Sequence, residues 1–143
     1  MTDPDVPSRR NPTRREFVHW MRVNIPGSEL RGGTDEGEEE GRVLVAGGAE
    51  DALGEEVYQY VGAGPPPNTG LHRYVFLVYR QQGGRLHFGA KDKIGMTGAG
   101  RAGFNTRNFS QQHGLGEPVG WCMFEAEYDS YCDELYAKLR GDR

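Results

Sequence analysis

The sequence predicts a mainly β fold closed by a C-terminal helix. Three stretches carry that reading. "HRYVFLVYRQ", His72 to Gln81, alternates aromatic and β-branched residues over the length of one buried strand. "EFVHWMRVNIPG", Glu16 to Gly27, repeats the near-alternate pattern and stops at a proline and a glycine. "DSYCDELYAKLRG", Asp129 to Gly141, changes the period, so that Tyr131, Leu135, Tyr136 and Leu139 share one face of an amphipathic helix.

The remaining elements follow in chain order. "TDPDVPSRRNP", Thr2 to Pro12, is rich in turn formers. Glu16 to Gly27 reads as a strand and turn. Ser28 to Glu56 is Gly- and acid-rich with only "RVLVA" able to order, which predicts a long, largely disordered loop or insertion. "EEVYQYVG" is a short strand or turn, and "QQGGRLHF" reads as a hairpin through Gly83 and Gly84. "KDKIGMTGAGRAG" is a polar loop. Asn105 before "TRNFSQQHG" has the form of an N-cap to a short helix ending at Gly114. "VGWCMFEAEYD" is the last strand, and no internal repeat is visible.

The 143 residues fit a single domain spanning 1–143, although a hydrophobic share of 36% and 22 glycines leave part of the chain outside any core. Charge is segregated. Ser28 to Glu56 holds ten acids against two arginines, a net −8, so the rest of the chain is mildly basic at +4 and suits anionic ligands. Cys122 and Cys132 make no disulfide framework, and no stretch reads as a membrane span or secretory signal, so a reducing, cytoplasmic setting is expected.

Asp3 and Asp5, two apart on one side of an extended chain, suit general acid–base work, metal ligation or a turn, and alone favour the turn. His19 and His72 lie within strands, where a histidine is more often a core or edge residue than a ligand. No metal-binding spacing supports them as ligands. "GAGRAG", Gly98 to Gly103, matches G-x-G-x-x-G but lacks the hydrophobic strand a dinucleotide fingerprint needs before it. The basic residues are scattered, which argues against direct nucleic-acid binding.

"DPDVPSRRNP", "REFVHW", "VNIPG", "YVGAGPPPNTGLHRYVFLVYRQ", "FNTRNF", "GLGEPVG" and "EAEYDSYCDELY" resemble, in order and spacing, the phosphatidylethanolamine-binding protein family. That family includes the Raf kinase inhibitor proteins and the plant flowering regulators. The resemblance implies a β-sandwich with a small pocket for phosphate and phosphoethanolamine headgroups and no cofactor. By motif, the pocket would draw on Asp3, Asp5, Pro7, His19, Gly64, Pro65, Pro66, His72 and Tyr74, with Tyr136 and Leu139 at its rim. The bond before Pro7 would be cis, and the acids would orient the histidines and raise their charge.

The function so implied is a non-enzymatic binding module that regulates signalling partners such as kinases, with peripheral membrane contact through a phospholipid headgroup. Serine-protease inhibition, a non-functional fragment and, last, a hydrolase are the competing readings. The family's domain begins well before D-P-D-x-P, so an N-terminally truncated form with open sheet edges is expected.

Overall fold

The computed structural model describes residues 1–27, 54–97 and 99–141. The longest strand forms where the sequence alternates most regularly. This is β5 (His72–Val78), which pairs with β6 (Gly120–Ala126) in an unbroken antiparallel register from His72↔Ala126 to Val78↔Gly120. On the other side of β5 lies β1 (Thr2–Asp3), and beyond it β2 (Phe17–Val18), giving the sheet order β2-β1-β5-β6. Because side chains alternate across a strand, His72 and Tyr74 fall on one face of β5, and both are buried.

A second, two-stranded sheet joins β3 (Met21–Val23) to β4 (Glu55–Tyr58), and Ile94 adds a parallel bridge to Tyr58. The single strand expected over Glu16 to Gly27 is therefore two. The Met1 carbonyl accepts from both the His19 and Trp20 amides, at 2.9 and 3.2 Å. Two residues opposite one make a bulge, and the bend moves the chain from one sheet to the other. The acidic segment ends earlier than expected, because Glu55 and Glu56 already belong to β4. There Lys93 pairs with Glu55 at 3.0 Å and the Trp20 indole donates to Glu56 at 2.8 Å. Residues 28–53 of that segment, among them Arg42 to Ala46, lie outside the described residues.

The hairpin expected at Gly83 and Gly84 does not form. Asn24, at φ 59°, takes the polar groups such a hairpin would pair. Its side-chain oxygen accepts from the Leu86 amide (2.8 Å) and the Gln81 side chain (2.9 Å), and its own amide donates to Gln81 Oε1 (2.6 Å). Residues from the end of β3 thus hold 81–86 as a loop.

Both helices start and stop as their caps dictate. α1 (Thr106–Gln112) opens at Asn105, whose side chain accepts from the Asn108 amide at 2.8 Å. α2 (Ser130–Arg140) opens at Asp129 and closes on Gly141 in the left-handed conformation, φ 82°. Its buried residues are Cys132 and Leu135, whereas Tyr131 is 50% exposed. The helix is therefore rotated from the face expected, with Cys132 rather than Tyr131 inward. Among the described residues no helix is long and apolar enough to cross a membrane.

Candidate functional site

The site grows from the crossing of β1 and β5. Asp3, almost fully buried, places Oδ2 2.7 Å from His72 Nδ1, and its Oδ1 accepts from the Asp5 amide at 2.7 Å. The second bond is an Asx turn, so the turn reading of D-P-D-x-P and the functional reading describe one arrangement. The other ring nitrogen of His72 lies 2.9 Å from the Thr69 hydroxyl, which also donates to the Pro66 carbonyl at 2.7 Å. The imidazole is thereby fixed at both ends, by a carboxylate and by the proline loop. Asn68 and Gly70 turn that loop with φ of 65° and 76°.

His19 enters from the other side. Its Nδ1 donates to the Val61 carbonyl at 3.0 Å, which leaves Nε2 without a partner among the described residues, and its ring meets Tyr74 edge-on with centroids 5.1 Å apart. Burial lowers the His19 pKa from its ordinary value. The carbonyl of Val61 and the charge of Asp3 pull it upward without prevailing. This corrects the expectation that neighbouring carboxylates raise the charge of both histidines, because at His19 desolvation prevails. Tyr74 is buried and stacks on Phe124, with ring centroids 5.1 Å apart. Its phenol pKa is raised, first by burial and then by the charge of Asp3, while the Gly64 backbone acts the other way. Tyr74 therefore offers a proton and not a charge.

Gly64 sits where loop and C-terminal helix meet. The Tyr136 hydroxyl donates to its carbonyl at 2.7 Å, and a Cβ on Gly64 would lie 2.7 Å from Leu135 Cδ2. Pro65 is fully buried and Pro66 half-buried beside it. The helix residue that packs at the site is thus Leu135, while Leu139 is half-buried one turn further on.

Asp5 faces a different partner. It is buried, and accepts from the Arg73 guanidinium at 2.7 and 2.9 Å and from the Arg73 amide at 3.0 Å. Burial alone would push its pKa up, but the bonds and charge of Arg73 outweigh it and hold the carboxyl at about 2. Arg9 extends the pair to Glu125 at 2.5 Å. Asp5 therefore ties β5 to the D-P-D-x-P turn. Pro7, half-buried after the cis Val6–Pro7 bond, shapes the same turn.

Sequence reasoning passed over three residues that build this site. Thr69 and Arg73 flank His72 within motifs already quoted, so their spacing was the available signal. Arg101 gave none, standing in a glycine-rich run set aside as a coincidence. It is buried, and its guanidinium donates to the carbonyls of Val18 (2.7 Å), Gln59 (2.7 Å) and Gly95 (2.8 Å). That clamp joins the segment before His19 to the segment before Val61. Beside the loop, a small cavity of about 220 Å³ is lined by Tyr60, Phe124, Tyr131, Glu127, Asp129 and Pro65 among others. Among the described residues, no group of three or more His, Cys, Asp or Glu side chains is placed to hold a metal ion.

The described residues thus form a β-rich fold with a C-terminal helix and a buried Asp–His pair beside a proline loop. The profile of the phosphatidylethanolamine-binding protein family matches residues 1–121, and the chain belongs to that family. It is 31% identical over 141 residues to the putative odorant-binding protein A5 of Drosophila melanogaster, covering 99% of this chain and 57% of that protein. Among solved structures, the solution structure of CG7054 matches at 36% identity and a TM-score of 0.59, over 96% of this chain and 65% of the other. The phosphatidylethanolamine-binding protein from Plasmodium vivax matches at 27% identity and a TM-score of 0.55, over 90% and 61%. The chain thus spans less than two thirds of the length of these relatives.

Proposed function

We propose that the chain is a non-catalytic binding module whose site takes the phosphate of a phosphoethanolamine-type headgroup, free or in a phospholipid, and that signalling proteins such as kinases are its partners. The observation that carries the reading is the presence, around one buried Asp3, of a carboxylate-oriented His72 and of a His19 whose Nε2 has no partner among the described residues and whose ring meets Tyr74, itself beside the Gly64 backbone. His19 Nε2 and the Tyr74 hydroxyl are the side-chain donors open to an anion, while His72, committed to Asp3 and Thr69, holds the proline loop beside them. The adjoining cavity supports the amine half of the headgroup, since Tyr60, Tyr131 and Phe124 offer ring faces and Glu127 and Asp129 offer carboxylates. The kinase half rests on family membership, and a reducing, cytoplasmic setting on two unpaired cysteines.

A hydrolytic role is the weaker reading because both aspartates are committed, Asp3 to His72 and Asp5 to Arg73. Titration of the ¹⁵N-labelled chain with O-phosphoethanolamine at mildly acidic pH tests the proposal. Amide shifts should concentrate at His19, Ala63–Gly64 and His72–Tyr74. Shifts confined to the glycine-rich run before Phe104 would remove the site from consideration.

A further inference from the structure

We propose that the small cavity beside the proline loop is a cation cage that selects a fully methylated ammonium, so that the preferred headgroup is of the phosphocholine type. The proposal rests on the anion site described above and names the amine that accompanies the phosphate. Tyr60, Phe124 and Tyr131 line this cavity of about 220 Å³, and they are 52%, 43% and 50% exposed. Each ring is nonetheless seated by a neighbour. Tyr60 meets Trp20 edge-on with centroids 6.2 Å apart, and the Trp20 indole is tied to Glu56 at 2.8 Å. Phe124 stacks on Tyr74 with 16° between the planes. Tyr131 lies against Gly62, where an added Cβ would stand 2.6 Å from the phenol oxygen. Rings held in this way present aromatic surface that need not reorganise when a ligand binds.

Charge sets the sign of that ligand. The stretch from Glu125 to Glu134 holds five acids, Glu125, Glu127, Asp129, Asp133 and Glu134, and no basic residue. Glu125 is taken up by Arg9 at 2.5 Å, whereas Glu127 and Asp129 line the cavity. The positive end of α2 lies here as well, and Asp129 at its cap and Asp133 in its first turn offset it. A cation is therefore drawn to this side of the loop, and an anion to the histidines.

Hydrogen bonding sets the form of the cation. A primary ammonium brings three donors that need converging acceptors, but Oδ1 of Asp129 already accepts from the Tyr131 amide at 3.0 Å and from the Cys132 thiol at 3.7 Å. Ala63 and Pro65 add apolar wall. A trimethylammonium carries its charge without N–H groups, so rings and nearby carboxylates are enough to hold it. The cage also adjoins the anion site. Gly64 stands between Ala63 and Pro65 of the lining, and Phe124 shares its stack with Tyr74.

Calorimetric titration of the 143-residue chain with phosphocholine, O-phosphoethanolamine and inorganic phosphate tests the proposal, beside tetramethylammonium chloride added to the ¹⁵N-labelled chain. Phosphocholine should bind about 5-fold or more tightly than O-phosphoethanolamine. Tetramethylammonium alone should shift the amides of Tyr60–Ala63 and Phe124–Tyr131, and sodium chloride at equal ionic strength should not. Tyr131→Leu should remove most of the preference and Tyr131→Phe should keep it. Gly62→Ala, which displaces the ring without deleting it, should lower it. Given that preference, co-sedimentation with phosphatidylcholine vesicles supports a lipid-borne headgroup, and its absence a free one. O-Phosphoethanolamine shifts at His19 and Gly64 with no preference for phosphocholine and no response to tetramethylammonium would overturn the cage and leave the anion site standing. A tetramethylammonium response with none to phosphate would support the cage and remove the anion site instead.

Discussion

Replacing Arg101 with methionine should cost the chain about 3 kcal/mol, a large fraction of a typical domain's margin of about 5–15 kcal/mol. Arg101 is 3% exposed, and among the described residues its hydrogen bonds go only to backbone carbonyls, with the Tyr58 ring 5.9 Å from its guanidinium. Burial lowers its pKa, against the smaller opposing pull of Tyr58 and the Glu56 charge. Methionine keeps most of the volume but leaves three carbonyls, of Val18, Gln59 and Gly95, without their donor. A buried acceptor so abandoned costs about 1–3 kcal/mol. Part of that total is returned because a desolvated cation no longer has to be buried, which brings the net to the stated value. Arg101→Lys retains the charge but has no planar fork to span three acceptors, so it should lose roughly half as much. Urea unfolding followed by circular dichroism reads the stability. The same clamp sets where the His19 segment lies against Val61, so O-phosphoethanolamine affinity should fall in both variants under conditions where each is still folded. A methionine variant within about 0.5 kcal/mol of the parent would refute the keystone reading of Arg101.

Three further outcomes are expected. Asp5 has a folded pKa of about 2 against an ordinary 3.8, so the unfolded chain takes up its proton first. The Asp5 contribution should be complete above pH 3.8 and lost as pH falls through about 2. It should amount to about 1–2 kcal/mol after solvent screening at the half-exposed Arg73, and Asp5→Asn should flatten this part of the acid-unfolding curve. His19 is lowered below 6.5 by burial, so its neutral form stabilises the fold above that pH and stability declines as pH drops beneath it. Its ring proton resonance should titrate below 6.5 alone and shift upward with phosphate, and a midpoint at or above 6.5 without ligand contradicts the burial argument. In Gly64→Ala the new methyl would meet only the tip of Leu135, which can shift. Stability should therefore drop by no more than about 1 kcal/mol, while O-phosphoethanolamine affinity, read by calorimetry, falls several-fold.

What the sequence disclosed and what it withheld divide along the range of the forces involved. β5, the Asn105 cap and the Gly141 stop are local, set by alternation, one side-chain oxygen and one left-handed residue, and each is legible in a window of a few residues. The His72–Asp3 pair spans 69 positions, and only a resemblance to related sequences brought its two ends together before the geometry did. The hairpin at Gly83–Gly84 was a sound local reading defeated from afar, because Asn24 offers Gln81 and Leu86 better-placed partners than a turn would. The break between β2 and β3 has the same origin, since nothing in "VHWM" says that one carbonyl at Met1 will take two amides. Arg101 is the limiting case. Among the described residues its hydrogen bonds all go to main-chain oxygens, and carbonyls belong to every residue, so no residue type in the sequence marks its partners. The residues hardest to read ahead of a structure are thus those whose partners are backbone, and in this chain they hold both the His19 side of the candidate site and, through Asn24, the 81–86 loop.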